Sequence, residues 1–218
     1  MTPLLIVFAK APLPGTVKTR MAPLLGAVGS ARLHQAMVRD TIESLLGIEQ
    51  EFLLELHTDR ETEAWTDLPV PRRLQTDGDL GVRMGAALSD GLRRGHPRVL
   101  IVGSDAPALP AGYLIDLLES ASQVALGPTE DGGYYAIACS QTHPDMFAGV
   151  SWSTPSALEQ TMLAAKACGL SVALGRSWFD LDEPSDLQRL AREVGAPHTK
   201  AFLRSFSTIL ESGLWNSK

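Results

Sequence analysis

Val99-Leu100-Ile101-Val102 runs without a break into Gly103-Ser104-Asp105-Ala106-Pro107. Four consecutive apolar residues, three of them β-branched, predict a strand buried on both faces of a parallel sheet, and the Gly-Ser-Asp-Ala-Pro that follows predicts a tight turn at its carboxyl end. Open α/β sheets bind their ligands outside the carboxyl ends of the strands. Asp105 is therefore the first candidate site residue, although an Asp in this context can also do no more than cap its own turn.

Outward from this stretch, strands and helices alternate. Leu4 to Ala9 is a continuous apolar run ended by Lys10 and two prolines, a second doubly buried strand. Leu33, Met37 and Leu45 recur at helical spacing between Gly29 and Leu46; Phe52 to His57 reads as a strand; Leu80, Met84, Leu88 and Leu92 lie every fourth residue on one helical face. Pro110 opens a helix through about Ser120, and Gln123 to Leu126 is the next strand. Asp131-Gly132-Gly133 then leads at once into Tyr134 to Ala138, too close for a helical crossover, so a hairpin or a strand of another sheet is expected. Pro155 starts a helix carrying Leu158, Met162 and Ala165, Leu170 to Leu174 is the last strand, and Thr199 to Leu210 is a closing amphipathic helix. The expectation is a three-layer α/β/α fold with a mostly parallel sheet and a small antiparallel insertion, built as one domain over residues 1–218.

Composition bounds the function. With 19 Lys and Arg against 25 Asp and Glu the formal net charge is −6, and no basic run occurs, which argues against nucleic-acid binding because counterion release needs a basic face. Cys139 and Cys168 have no metal-ligand spacing, as suits a reducing, cytoplasmic setting. The apolar run at Leu4 is too short for a signal segment and nothing reaches membrane-spanning length, so no membrane partner is expected.

Two further segments follow predicted strands. The loop Lys10-Ala11-Pro12-Leu13-Pro14-Gly15-Thr16-Val17-Lys18-Thr19-Arg20 is neither a Walker A loop nor Gly-x-Gly-x-x-Gly. Gly15 nonetheless permits close backbone approach, and Lys18 and Arg20 can meet phosphate oxygens as point charge and fork; a solvated turn with surface cations is the plain alternative. Asp180, Asp182 and Asp186 follow the last strand. Asp182 before Glu183-Pro184 suits a helix N-cap and Asp186 a first-turn carboxylate, but all three could also converge with Asp105 over one sheet edge. A carboxylate pair there would suit Mg2+ or Mn2+, since Mg2+ takes one or two protein carboxylates and fills its shell with phosphates and waters.

The order Phe8-Ala9-Lys10-Ala11-Pro12, Pro14-Gly15, Lys18-Thr19-Arg20, Leu80-Gly81-x-Arg83-Met84, Gly103 to Pro107, Glu130-Asp131-Gly132-Gly133-Tyr134-Tyr135, Trp152-Ser153-Thr154 and Asp180-x-Asp182 resembles the glycosyltransferase-A-fold family of selenodomain-associated transferases. More distantly it resembles the nucleotide-diphospho-sugar transferases, molybdenum-cofactor and phospholactate guanylyltransferases included. The resemblance implies that Asp105 and Asp182 hold a metal ion and that Lys10, Lys18 and Arg20 line nucleotide phosphates beside Gly15 and Thr19. It also implies that Asp131, Gly132, Gly133 and Tyr134 shape an acceptor or sugar pocket, for which a tight Asp-Gly turn is the plain alternative. Arg83 and Trp152 are outer candidates, with a helix-surface cation and a core ring as their plainer readings. Two departures stand out: Pro23 is followed by Leu24 and Leu25 where many nucleotidyltransferases of this fold carry a lysine, and Ser104-Asp105-Ala106 offers one carboxylate where glycosyltransferases usually show Asp-x-Asp.

Three functions follow. Nucleotidyl transfer from a nucleoside triphosphate to a phosphorylated small molecule is favoured, with Lys18 and Arg20 offsetting pyrophosphate charge. Glycosyl transfer from a sugar nucleotide to a small acceptor is the alternative, with Asp131 the candidate base. A non-catalytic nucleotide-binding module is the third.

Overall fold

The computed structural model describes residues 1–206. Its strands are β1 (Leu4–Ala9), β2 (Leu53–Thr58), β3 (Arg72–Leu74), β4 (Val99–Val102), β5 (Val124–Pro128), β6 (Tyr134–Cys139) and β7 (Val172–Leu174). The helices are α1 (Ala22–Leu46), α2 (Leu80–Arg93), α3 (Ala111–Leu118), α4 (Ala157–Ala167), α5 (Leu187–Arg192) and α6 (Pro197–Arg204). One seven-stranded sheet runs β3-β2-β1-β4-β6-β5-β7. All neighbours are parallel except β6, which is antiparallel to both β4 and β5.

Helices cover both faces, the α/β/α layering expected. Alternation along β1 and β4 sends Leu5, Val7, Leu100 and Val102 to the face under α1 and α3, and Leu4, Ile6, Val99 and Ile101 to the face under α2 and α4. Each of these side chains is almost fully buried, a burial that stabilises by about 1.5–3 kcal/mol apiece before conformational entropy is charged against it. A third cluster lies outside the sheet: Met21, Leu33 and Met37 meet Leu181, Leu187, Leu190 and Leu203, so that α5 and α6 lean on the outer side of α1.

The antiparallel insertion takes the hairpin option. β6 returns from the Asp131-Gly132-Gly133 turn straight into the middle of the main sheet, where its Ala136 to Cys139 pair with β4. Boundaries also move. In α1 a short helical turn from Ala22 precedes a kink at Gly26, where φ is 70°, a step glycine takes without steric cost, and the helix proper runs on from there, close to the start expected near Gly29. α4 begins at Ala157, two residues after Pro155. β3 and α5 carry no pattern that predicts them: β3 is a three-residue, half-exposed edge strand and α5 has six residues. Helix α6 ends at Arg204, and residues 207–210 of the helix expected there lie outside the described residues. No helix among the described residues is long and apolar enough to cross a membrane.

Candidate active site

The first loop, the turn after β4 and the segment after β7 meet above the carboxyl ends of β1 and β4. Leu181 donates its backbone N–H to the carbonyl of Asp105 at 2.8 Å and buries its side chain completely in the third cluster. Leu181 thus fixes its neighbours Asp180 and Asp182 beside Asp105. A residue that reads as an unremarkable leucine sets the position of two carboxylates.

Lys18 completes the junction. Its Nζ lies 2.5 Å from Asp105 Oδ1, 2.7 Å from Asp182 Oδ1 and 2.9 Å from the Leu181 carbonyl. The lysine side chain is 3% exposed, whereas Asp105 and Asp182 are 50% and 40% exposed. Burial alone would disfavour the ammonium, but the two carboxylates outweigh it and hold the Lys18 pKa above its ordinary value. Asp105 is opposed by desolvation and favoured by Lys18, and its pKa falls. Asp180 has no such partner: burial first, then the charges of Asp105 and Asp182, push it up to about 8.

In this structure Lys18 has protein partners where phosphate was expected. All three ammonium donors are spent within the protein, so in this state the side chain is a counter-ion of the carboxylates and not a phosphate ligand. The cause is local: Lys18 has φ 45° and ψ 43°, a left-handed backbone that is uncommon for a side-chain-bearing residue and clusters at functional sites. Here the turn accompanies a lysine directed inward.

The other cations of the loop are open. Lys10 and Arg20 are exposed, Arg20 with Glu183 at a loose 3.7 Å, and exposed Thr19 opens the short helical turn Thr19–Met21. Gly15 has φ 82° and nothing within 4 Å of where a Cβ would stand. Arg83 donates to Gln75 Oε1 at 2.9 Å, and Gln75 in turn donates to the carbonyls of His57 and Ala9 at the ends of β2 and β1. Arg83 therefore stands on the same sheet edge, beyond Lys10.

The turn between β5 and β6 takes the plainer of its two readings, a tight turn closed on itself. Asp131 Oδ1 accepts from Thr129 Oγ1 at 2.5 Å and from Gly133 N at 3.1 Å, closing its own turn. Gly132, at φ 91°, needs to be glycine because a Cβ would stand 2.0 Å from the Pro155 carbonyl oxygen; the close approach is made to this chain and not to a ligand. A Cβ on Gly133 would meet Thr129 Oγ1 at 3.0 Å. Tyr134 is corrected outright: its ring packs against Trp152 at a centroid distance of 6.5 Å and its hydroxyl reaches Met84 Sδ, within the core under α2 and α4. Alternation along β6 turns it away from the sheet edge. Trp152 is a core ring as well, packed on Phe147 and Gly81.

Asp186 also leaves the candidate set. Its Oδ2 accepts from the backbone N–H groups of Asp182 and Glu183, so Asp186 shapes the acidic turn from behind, and Glu183, not Asp182, is the cap. His34 is a residue behind the site that the sequence pattern did not single out. On α1 and almost fully buried, it donates its Nε2–H to the Lys10 carbonyl at 2.9 Å, which fixes its tautomer and ties the start of the loop to the helix. Burial lowers its pKa. The only signal in the sequence was a histidine next to Leu33 on the apolar face of that helix.

The carboxylate pair suits a hard divalent cation in kind and number. Asp105 and Asp182 meet Lys18 through Oδ1, and both side chains face solvent in part. No group of three or more His, Cys, Asp or Glu among the described residues forms a ready cage, so any cation here would draw the rest of its shell from ligand and water.

Comparison with solved structures places this chain in a large fold group. It superposes on a protein of Desulfovibrio desulfuricans G20, provisionally named a nucleotide-diphospho-sugar transferase, with a TM-score of 0.81 at 27% identity, covering 97% of this chain and 98% of that one. CMP:2-keto-3-deoxy-manno-octonic acid synthetase, solved with CTP, gives a TM-score of 0.55 at 13% identity over 87% of this chain and 97% of that one. The inositol-1-phosphate CTP transferase of T. maritima gives 0.51 at 16% over 92% and 96%. The last two show a shared fold. No curated protein matches the sequence. Residues 40–154, more than half of the chain, match the family described as "Uncharacterized protein conserved in bacteria (DUF2064)", and the chain belongs to that family.

Proposed function

We propose that this protein is a divalent-cation-dependent transferase that uses a nucleotide donor, and that the group it moves is the sugar of a nucleotide-diphospho-sugar. The observation that carries the reading is the convergence of Asp105, Asp182 and Lys18 at the carboxyl ends of β1 and β4, with exposed Lys10 and Arg20 beside them. Asp105 and Asp182 would hold Mg2+ or Mn2+, which supplies charge stabilisation to a departing diphosphate. Lys10, Arg20 and Arg83 would take up the rest of the donor's negative charge.

Charge on the acceptor side favours glycosyl over nucleotidyl transfer. Beyond β5 and β7 the described residues offer the carboxylates of Asp131 and Glu183, while Glu130 and Arg189 there offset each other in a two-pronged pair and Asp180, pushed up to about 8, carries little charge near neutral pH. A phosphorylated acceptor would meet repulsion; a hydroxyl would not. In the proposed reaction the acceptor oxygen bonds to the anomeric carbon, the bond from that carbon to the diphosphate oxygen breaks, and the nucleoside diphosphate leaves with the electron pair. The hydroxyl proton passes to Asp131, whose Oδ2 is free of the turn. The unbridged Cys139 and Cys168 support the expected reducing, cytoplasmic setting.

Nucleotidyl transfer is the second reading, supported by the exposed Arg20 next to Lys18, a placement suited to a pyrophosphate leaving group. A thermal-shift panel of nucleoside triphosphates and sugar nucleotides with Mg2+ or Mn2+ tests both, since a ligand at 100 times its Kd stabilises by about 2.7 kcal/mol. Metal-dependent shifts by sugar nucleotides, followed by release of nucleoside diphosphate on turnover, are expected. Pyrophosphate release would give the second reading, and no metal-dependent shift with any nucleotide would sink both.

A further inference from the structure

Lys18 cannot serve phosphate in the state described. An ammonium has three donors and no acceptor, and Asp105, Asp182 and the Leu181 carbonyl take all three. Only 3% of the side chain meets solvent. Yet the segment that carries Lys18 lies mostly at the surface, between the buried anchors Ala11, Val17 and Met21. Leu13 to Thr16 and Thr19 to Arg20 are exposed, with Val17 the one buried residue between Pro12 and Arg20, and Gly15 turns through φ 82° against open space. The backbone of Lys18 is itself left-handed. The four-carbon stem of a lysine has the rotatable bonds to carry its head group from the carboxylates to the exposed rim of this segment.

We propose that Lys18 is an exchangeable counter-ion, bound to Asp105 and Asp182 when no divalent cation is present and turned outward to the donor phosphates when one takes those carboxylates. The proposal rests on the reading of the pair as a cation site and adds that the lysine has two alternating partners. The physical reason is competition. Lys18 Nζ and a divalent cation ask for the same Oδ1 oxygens, and two cations sharing them repel one another. The two carboxylates, in turn, repel each other unless one cation or the other lies between them. The lysine displaced from the pair becomes a free donor at the point where the diphosphate needs charge, so cation and nucleotide binding are positively coupled.

The wild-type protein itself reads this out, through acetylation by an amine-directed reagent followed by mass spectrometry. Lys166 is exposed, lies outside the site and serves as the internal reference. Lys18 is expected to react slowly in metal-free protein, to gain about tenfold over Lys166 with saturating Mn2+, and to become protected again when a nucleoside diphosphate is added, within the usual range of such couplings. In parallel, K18M is expected to bind Mn2+ about tenfold more tightly than wild type in the absence of nucleotide. Calorimetrically demonstrated Mn2+ binding with Lys18 still protected would overturn the exchange while leaving the cation site standing, as would equal Mn2+ affinity of wild type and folded K18M. No Mn2+ binding to either protein would overturn the cation site and the exchange with it.

Discussion

Leu181 and Asp105 are joined by a backbone hydrogen bond of 2.8 Å, across about a third of the chain. That bond aligns the turn after β4 with the segment after β7, and the charged groups of the site follow from it. Leu181→Ala should therefore act twice. Loss of a fully buried leucine costs about 2–5 kcal/mol, readable by urea denaturation, and the slackened segment should weaken metal-dependent nucleotide binding beyond the loss of stability. Unchanged nucleotide affinity in a destabilised but folded variant would show that Leu181 is a core residue only.

Asp105→Asn and Asp182→Asn should each abolish metal-dependent nucleotide stabilisation. Each also removes a charged partner of buried Lys18, a loss of about 1–3 kcal/mol, with the lower end favoured because both carboxylates are partly exposed and screened. Melting curves with and without Mg2+ and nucleotide separate the two effects. A variant that keeps its ligand-induced shift would remove that aspartate from the cation site.

Gly132 and Gly15 both have positive φ but should respond differently to alanine. At Gly132 a methyl group meets the Pro155 carbonyl, so Gly132→Ala should cost well over the roughly 1–2 kcal/mol of left-handed strain by shifting the start of α4. Gly15→Ala meets open space and should cost about that strain alone. Equal melting temperatures for the two variants would contradict the account of the Gly132 turn.

The two buried histidines should withdraw stability from the fold as the pH falls from 8 to 5. Burial holds the pKa values of His34 and His57 below the ordinary 6.5, against the pull of the Lys10 carbonyl on one and Glu55 on the other. The unfolded chain therefore takes up protons that the folded chain refuses. The stability this represents is complete above about pH 6.5 and is lost as the pH falls towards the lower folded values. Asp180, held up to about 8, acts in the opposite direction over the same range, so the histidine contribution is read as a difference: from pH 8 to pH 5 the denaturation midpoint of wild type should fall relative to that of His57→Gln. A parallel slope in that variant would assign the acid sensitivity elsewhere.

Much of the fold is legible in local pattern because burial on both faces leaves a mark in the chain. Leu4 to Ala9 and Val99 to Val102 are uninterrupted apolar runs since a strand under two helical layers has no solvent side. The i+4 ladder of Leu80, Met84, Leu88 and Leu92 likewise records one buried face of α2. Elements that bury little leave no such mark, as the half-exposed edge strand β3 and the six-residue α5 demonstrate.

Candidate residues divide along a similar line. Asp105 and Asp182 were legible because both follow strands and the topology brings strand ends to one edge. Tyr134 was not, because its direction depends on the phase of β6 within the sheet. Gly132 looked like a ligand contact although its constraint comes from Pro155, remote from its own turn in sequence.

What the amino-acid sequence determined by itself is the alternation of strands and helices, the loops that follow the strands, and the kinds of charge those loops carry, since each depends on neighbours within a few residues. Only the tertiary structure decided which charges pair. Lys18 reads as a free cation in its loop, and it becomes a counter-ion because Leu181 buries in the cluster formed by α1, α5 and α6 and brings Asp182 to within 2.7 Å of its ammonium. Coulomb energy falls with distance between groups in space, and the chain order does not contain that distance.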